Sequence, residues 1–316
     1  MVSALLTAEN GDPMNLFASQ TIAFKDAFTA GIGNFPLKSS RPVRDHGALD
    51  PSLGRMGSLE ARLAITKKDI RRAQKLRYRV FFEEGGATAD ARSALSRRDI
   101  CPFDRICDHI LVIDHAAKNR FGRIKPKVVG TYRLLRKDIA DKNGGFYSAQ
   151  EFNIAPLLAK HGDKNFLELG RSCVLPAYRS KRTIELLWRG IAAYVQYYRI
   201  DAMIGCASFE GANPLKHALG LSFLHHHALA QGEWAARALP EQSVGMDMIS
   251  AETIDLRRAL DALPTLVRGY LRLGATFGEG AVVDRQFGTV DVLVIMPVSK
   301  IDAKYLDHFS PEKRAA

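Results

Sequence analysis

The stretch from Phe166 to Ala207 constrains the fold more than any other part of the chain. Phe166–Leu175 reads as a strand, Thr183–Tyr198 repeats its apolar residues at helical spacing and ends near Arg199, and Ala202–Ala207 is a short buried strand. One such crossover sits at the centre of an otherwise strand-rich order. Leu59–Ile65 alternates cleanly as a strand. Behind Thr66 as N-cap, a helix is expected from Lys67 to Glu84, with Ile70, Ala73, Leu76, Val80 and Phe81 on one face. Strands follow at His109–His115 and Lys127–Arg136, separated by the basic run Lys118–Lys125. A short helical segment is expected at Ser148–Leu158, broken by Pro156, and another helix starts behind Asn213-Pro214. Leu263–Leu273 reads as helix, and Ala281–Phe287 and Val290–Val298 as two strands joined at Gly288-Thr289. The order βαβββαβα predicts an α/β fold, a mixed twisted sheet covered by helices on both faces. Residues 1–57 read as a flexible leader with a short helix near Ala18–Phe28, 58–300 as one domain, and 301–316 as a tail.

Composition narrows the class. With 47% hydrophobic and 25% charged residues the chain has the make-up of a globular protein with a sizeable core. No apolar run approaches the ~20 residues that span a bilayer, and Met1–Asn10 lacks the pattern of a secretory signal. Cys101, Cys107, Cys173 and Cys206 show neither CxxC nor metal spacing, which predicts reduced thiols and a cytoplasmic protein. Residues 41–136 hold 22 Lys+Arg against 11 Asp+Glu, which is the whole net charge of +11. A local positive field of this kind attracts an acidic carrier protein or an anionic membrane, or is simply a solvated face. Nucleic acid is disfavoured, because no helix-turn-helix, zinc-finger or RNP-like motif accompanies the charge.

Four segments carry chemistry: Leu76-Arg77-Tyr78-Arg79-Val80-Phe81, Phe103-Asp104, Val128–Leu135 and Glu168-Leu169-Gly170-Arg171-Ser172-Cys173-Val174. In order and spacing they resemble the acyl-homoserine-lactone synthases, which have the GNAT fold and take an acyl group from acyl carrier protein. The chain is more similar still to the ornithine–acyl-carrier-protein N-acyltransferases, through Glu168–Arg179, Leu187-Trp188 and Gly269–Ala275. This likeness spans roughly residues 59–298. Two departures argue against the lactone synthases' S-adenosylmethionine. The Lys67–Glu84 helix runs into Gly85-Gly86 without their tryptophan, and Cys101 stands where they carry an extra acid.

The residues support a chemical reading alongside the resemblance. Amide formation from a thioester needs an unprotonated amine, and an α-amine is mostly protonated at neutral pH. A buried strand-edge carboxylate can take that proton directly or through water, and Glu168 is the candidate. It could instead pair with Arg171. Arg77 and Arg133 lie on otherwise packed elements and need carboxylates, with Asp104 and Glu168 available. The set Arg77, Asp104, Arg133 and Arg171 could hold an amino-acid acceptor or merely brace the fold. Acetyl-coenzyme-A users carry a glycine-rich turn for the pyrophosphate, whereas Tyr178-Arg179-Ser180-Lys181-Arg182-Thr183 has no glycine. Crowded cations and hydroxyls at a helix start suit the single phosphate of phosphopantetheine, with strand amides near Val174 orienting its arm. His225-His226-His227 lacks matching acid spacing, so no metal is expected, and Met246-Asp247-Met248 could line an acyl tunnel or fill core.

The resemblance implies transfer of a 3-hydroxyacyl chain from acyl carrier protein to the α-amine of L-ornithine. The product would be a lyso-ornithine lipid, made with no permanently bound cofactor and with acyl-phosphopantetheine as donor. Peripheral contact with the anionic inner membrane would suit the amphiphilic product. The rivals are a lactone synthase, a coenzyme-A-dependent N-acetyltransferase and a non-catalytic carrier- or lipid-binding module.

Overall fold

A computed structural model describes residues 46–302. The helix expected near Ala18–Phe28 and nearly all of the tail lie outside the described residues. Eight strands form the body of one large sheet: β1 (Ser52–Met56), β2 (Leu59–Leu63), β3 (Asp108–Asp114), β4 (Lys127–Arg136), β5 (Phe166–Val174), β6 (Ala202–Glu210), β7 (Ala281–Asp284) and β8 (Thr289–Pro297). Their order across the sheet is β1-β2-β3-β4-β5-β6-β8-β7, with two-residue strands added beside β7 and β8. Only β5 and β6 run parallel; every other pair is antiparallel. The parallel pair is the one joined by the crossover helix, as the sequence predicts.

The sheet begins earlier than the expected boundary at residue 58. Ser52–Met56 belongs to it, pairing with β2 through a tight turn at Gly57-Ser58 in which Gly57 takes φ +61°. The glycines that read as loop serve a hairpin. Thr66 caps α1 (Lys67–Tyr78) in a capping box with Asp69. The helical path continues to Glu84 as expected, but Arg79–Glu84 winds as a π-helix, with Gly85 N–H reaching Val80 O at 3.0 Å. Pro156 does not break a helix. It lies in the first turn of Ala155–Lys160, where its missing N–H costs nothing, and Tyr147–Gln150 forms a separate 3-10 turn. Ala91–Ser96 (α2) and Leu256–Ala262 are helices that no periodicity announced.

The layers follow from strand alternation. The crossover helix α3 (Lys181–Tyr197) lies on the face of Asp108 and Ile110: Tyr194 Oη donates to Asp108 Oδ2 at 2.7 Å. A Cβ added to Gly190 would come within 3.3 Å of Ile110. α1 lies on the opposite face, where Arg133, paired across from His109, points toward Asp104. Helices thus cover both faces. Gly190→Val should strain the α3 contact and cost about 1–3 kcal/mol, read as a lowered Tm. An unchanged Tm would mean the helix is free to lift off the sheet.

Candidate functional site

Two irregularities in β5 build the site. The first is where its pairing to β6 stops. The parallel ladder joins Phe166 to Ala202, Leu167 to Met203 and Glu168 to Ile204, and goes no further, although both strands continue. Beyond Glu168 the strands part. The gap holds a small cavity of about 10 Å³ lined by Leu169, Met203, Ile204, Gly205, Tyr270, Val294 and Met296. Tyr270, from the helix Thr265–Arg272, closes it by a 2.6 Å hydroxyl–hydroxyl hydrogen bond to Tyr132. Burial pushes the Tyr132 phenol up to about 12, so it stays neutral across the physiological range.

The second is a bulge against β4. Thr131 faces Cys173 and Arg133 faces Gly170, so β5 spends one residue more than β4 between those pairs. Arg171 absorbs it with φ +53°, a left-handed conformation that costs a non-glycine residue about 1–2 kcal/mol. Simple alternation would send Arg171 to the face opposite Glu168. The bulge turns it back, and Arg171 Nε lies 3.1 Å from Asp99 Oδ2 while its guanidinium stacks over Phe287 at 4.7 Å.

Around Arg171 is a buried ionic cluster. Arg77, fully buried on α1, donates to Asp99 Oδ2, to the Asp99 carbonyl and to Asp104 Oδ2, each at 2.7 Å. Gln74 donates to the same Asp104 oxygen at 2.8 Å, and Arg133 Nη1 approaches Asp104 Oδ1 at 3.8 Å. Burial opposes charge on Asp104, but Arg77, then His109 and Arg133, hold its carboxyl well below the usual range. Burial likewise works against the Arg77 cation, and Asp104 and Asp99 outweigh it and push its pKa up. All four residues named from sequence (Arg77, Asp104, Arg133 and Arg171) therefore meet. Asp99, which bridges two of the arginines, was missed. It stands in an irregular stretch where nothing in the pattern marks one acid above another.

Glu168 sits on the same sheet face as Arg133 but is not paired with Arg171. Its oxygens accept from Tyr147 N–H at 2.9 Å and from the Ser148 N–H and hydroxyl, both at 2.6 Å. It is 4% exposed. Burial raises its pKa, and the Ser148 hydroxyl, the two N–H groups and Arg133 pull it part of the way back. Backbone donors leave no trace in a sequence, so these partners could not have been read.

The expected phosphate cradle is only partly displayed. Ser180 caps α3, its Oγ accepting from Thr183 N–H at 3.4 Å, and Thr183 is fully buried with its hydroxyl turned to Ser180. Thr183 therefore offers nothing outward. Arg179 donates to the Val174 carbonyl at 3.1 Å and lies 3.5 Å from Glu84, while Arg182 is exposed and Lys181 half-buried. Val174 itself pairs with Gly130 on β4 and lies beyond the last β5–β6 ladder pair. A wider cleft of about 470 Å³ lies above the ionic cluster, floored by Gln74 and Asp104 and rimmed by Lys67, Arg71, Arg92, Arg98 and Arg105.

The three histidines behave differently from their spacing. His225, His226 and Asp247 bring ligand atoms within 4.8 Å of one another, because a distant segment supplies the acid. His226 Nε2 already lies 3.0 Å from both Asp247 and the Ile249 carbonyl, so protein groups satisfy it. Met246 is buried in the core and Met248 packs against it; the methionines at the strand gap are Met203 and Met296.

Removing Arg77 would leave two buried aspartates without their main partner. Arg77→Met should cost about 3–5 kcal/mol, measured by denaturant unfolding, and Arg77→Lys should recover only part of it, since an ammonium cannot span both acids. With this geometry in place, relatives become informative. The acetyltransferase (GNAT) domain family matches residues 76–189, from α1 into the crossover helix. The L-ornithine N(alpha)-acyltransferase of Agrobacterium fabrum (strain C58) is 54% identical over 259 residues, 82% of this chain and 87% of that one. That of Rhizobium meliloti (strain 1021) is 51% identical over 260 residues, covering 82% and 87%. That of Rhodobacter capsulatus is 40% identical over 253 residues, covering 80% and 95%. The chain belongs to the L-ornithine N(alpha)-acyltransferase family, acyltransferases of GNAT fold.

Proposed function

We propose that the protein moves a 3-hydroxyacyl chain from the phosphopantetheine thioester of acyl carrier protein to the α-amine of L-ornithine. The product is a lyso-ornithine lipid, and the acyl-phosphopantetheine is a substrate rather than a resident cofactor. The relatives' shared name supports the acceptor. The observation that carries the mechanism is the position of Glu168, a carboxylate at the residue where β5 and β6 part. The donor's arm would enter the gap beyond it, displacing Tyr270 from the cavity, with its phosphate against Arg179, Lys181 and Arg182 at the start of α3.

The amine nitrogen attacks the thioester carbonyl while Glu168 takes its proton, through one bridging water where the acceptor stops short of the buried carboxylate. Collapse of the tetrahedral intermediate breaks the C–S bond, and the departing thiolate of phosphopantetheine takes up a proton. A pKa raised by burial makes Glu168 a better base than an exposed carboxylate. Arg133 stabilises its ionised form, and the neighbouring guanidiniums suit the acceptor's carboxylate. No helix among the described residues is long and apolar enough to cross a membrane. The amphiphilic product favours a reaction in the cytoplasm, at the inner face of the membrane that would receive the lipid.

Glu168→Gln should lower turnover by about 10²–10⁴-fold while carrier-protein binding persists, with Tm somewhat lowered because the new amide meets a buried N–H donor. Full activity would remove Glu168 from the mechanism. An assay offering acyl carrier protein with ornithine, S-adenosylmethionine or acetyl-coenzyme A separates the three enzymatic readings. The base must be ionised, so activity should fall on the acid side through the raised pKa of Glu168. Ser148→Ala removes a hydrogen bond that lowers that pKa and should shift the acid limb to higher pH. A limb that stays in place would assign it to another group.

A further inference from the structure

The turn between β3 and β4 carries a side-chain pattern that acyl transfer does not use. From Lys118 to Lys127 it holds Lys118, Arg120, Arg123, Lys125 and Lys127, all exposed, and no acidic residue. Among them Phe121 is 71% and Ile124 69% exposed. The turn is a built one. Asn119 Oδ1 accepts from the N–H groups of Phe121 at 2.9 Å and Arg123 at 3.1 Å, Asn119 N–H donates to the Arg123 carbonyl at 2.9 Å, and Gly122 supplies the left-handed position. Two apolar side chains are thus held in water by an ordered backbone and ringed by cations.

The turn also lies at the working end of the sheet. β4 begins there and β5 ends there, and Tyr178, just before α3, donates to Asp114 at the end of β3 at 2.9 Å. The stretch of β5 beyond its last ladder pair with β6 runs toward this end. Arg72 of α1 donates to the Pro126 carbonyl at 2.8 Å and so joins the turn to the basic face of α1. The rim of the 470 Å³ cleft continues that face to α2, where Leu95 is 91% exposed between Arg92 and Arg98.

We infer that the Lys118–Lys127 turn docks the protein on an anionic phospholipid bilayer, Phe121 and Ile124 entering the headgroup–acyl boundary while the surrounding cations meet lipid phosphates. An aromatic and an aliphatic tip among cations is the chemistry of an interfacial anchor, and each cation near an anionic surface contributes roughly fivefold in affinity. An acidic carrier protein would be served by the cations alone and gives no reason to hold Phe121 and Ile124 so far out in water, even with Arg120 over the Phe121 ring at 4.6 Å. The inference rests on the proposed lipid product for its purpose. Its test uses no turnover, so the two can fail separately.

The full chain should co-sediment with vesicles of mixed phosphatidylcholine and phosphatidylglycerol and not with phosphatidylcholine alone. The double variant Phe121→Ser, Ile124→Ser should bind the mixed vesicles about tenfold more weakly or worse. Its Tm, and its acyl transfer in vesicle-free solution, should be unchanged. In Phe121→Trp, the tryptophan emission should shift to the blue on addition of mixed vesicles, reporting entry into the boundary. Absence of binding by the parent chain, equal binding by the double variant, or no shift for Phe121→Trp would overturn the inference. So would loss of carrier-protein affinity in the double variant without lipid, which would assign the turn to the carrier.

Discussion

The structure turns on a set of charges withdrawn from water. Arg77, Arg133 and Arg171 meet Asp99 and Asp104 on one face of the sheet, with Glu168 alongside. Each charge is costly to bury alone and is tolerable only because the others are placed to meet it. Placing them takes a helix that buries an arginine on its apolar side, an irregular segment that returns Asp99 and Asp104 to that helix, and a strand bent enough to turn Arg171 around. The left-handed backbone at Arg171 is held by what its side chain gains, an aspartate and an aromatic ring.

One member of the cluster, Arg133, also acts on Glu168. Glu168 is lifted by burial and restrained by Ser148, two backbone amides and Arg133. It stands closer to neutrality than a surface glutamate, which suits the role proposed for it. The neutral donors and the guanidinium pull the same way, against burial.

Much of this was legible in the sequence. Apolar runs and helical spacing place β2, β3, β4, β5, α1 and α3 to within a few residues, the strands as short apolar runs and the helices through one apolar face. Arg77 and Arg133 stood out as charges inside apolar patterns, and their need for acids pointed to Asp104. What stayed hidden depends on backbone geometry. The bulge at Arg171 decides which way its side chain points, and nothing in Gly170-Arg171-Ser172 announces it. Glu168 is held mostly by main-chain amides, which any residue supplies. β1 was hidden by Gly54 within it and Gly57 just after it, and Thr183 read as a ligand although it is buried, with its hydroxyl against the Ser180 cap.

The short parallel ladder has a mechanical consequence. β6 is tied to β8 through nine facing residue pairs but to β5 through only three. The sheet thus has a seam, and widening it further requires no ladder bond to break. What resists is side-chain packing, above all the tyrosine pair that bridges the two halves. Such packing can reform around a long aliphatic guest, whereas a severed ladder in a dry interior could not find new partners. The protein is therefore most compliant along the line between β5 and β6, and stiff where its buried charges must stay in register.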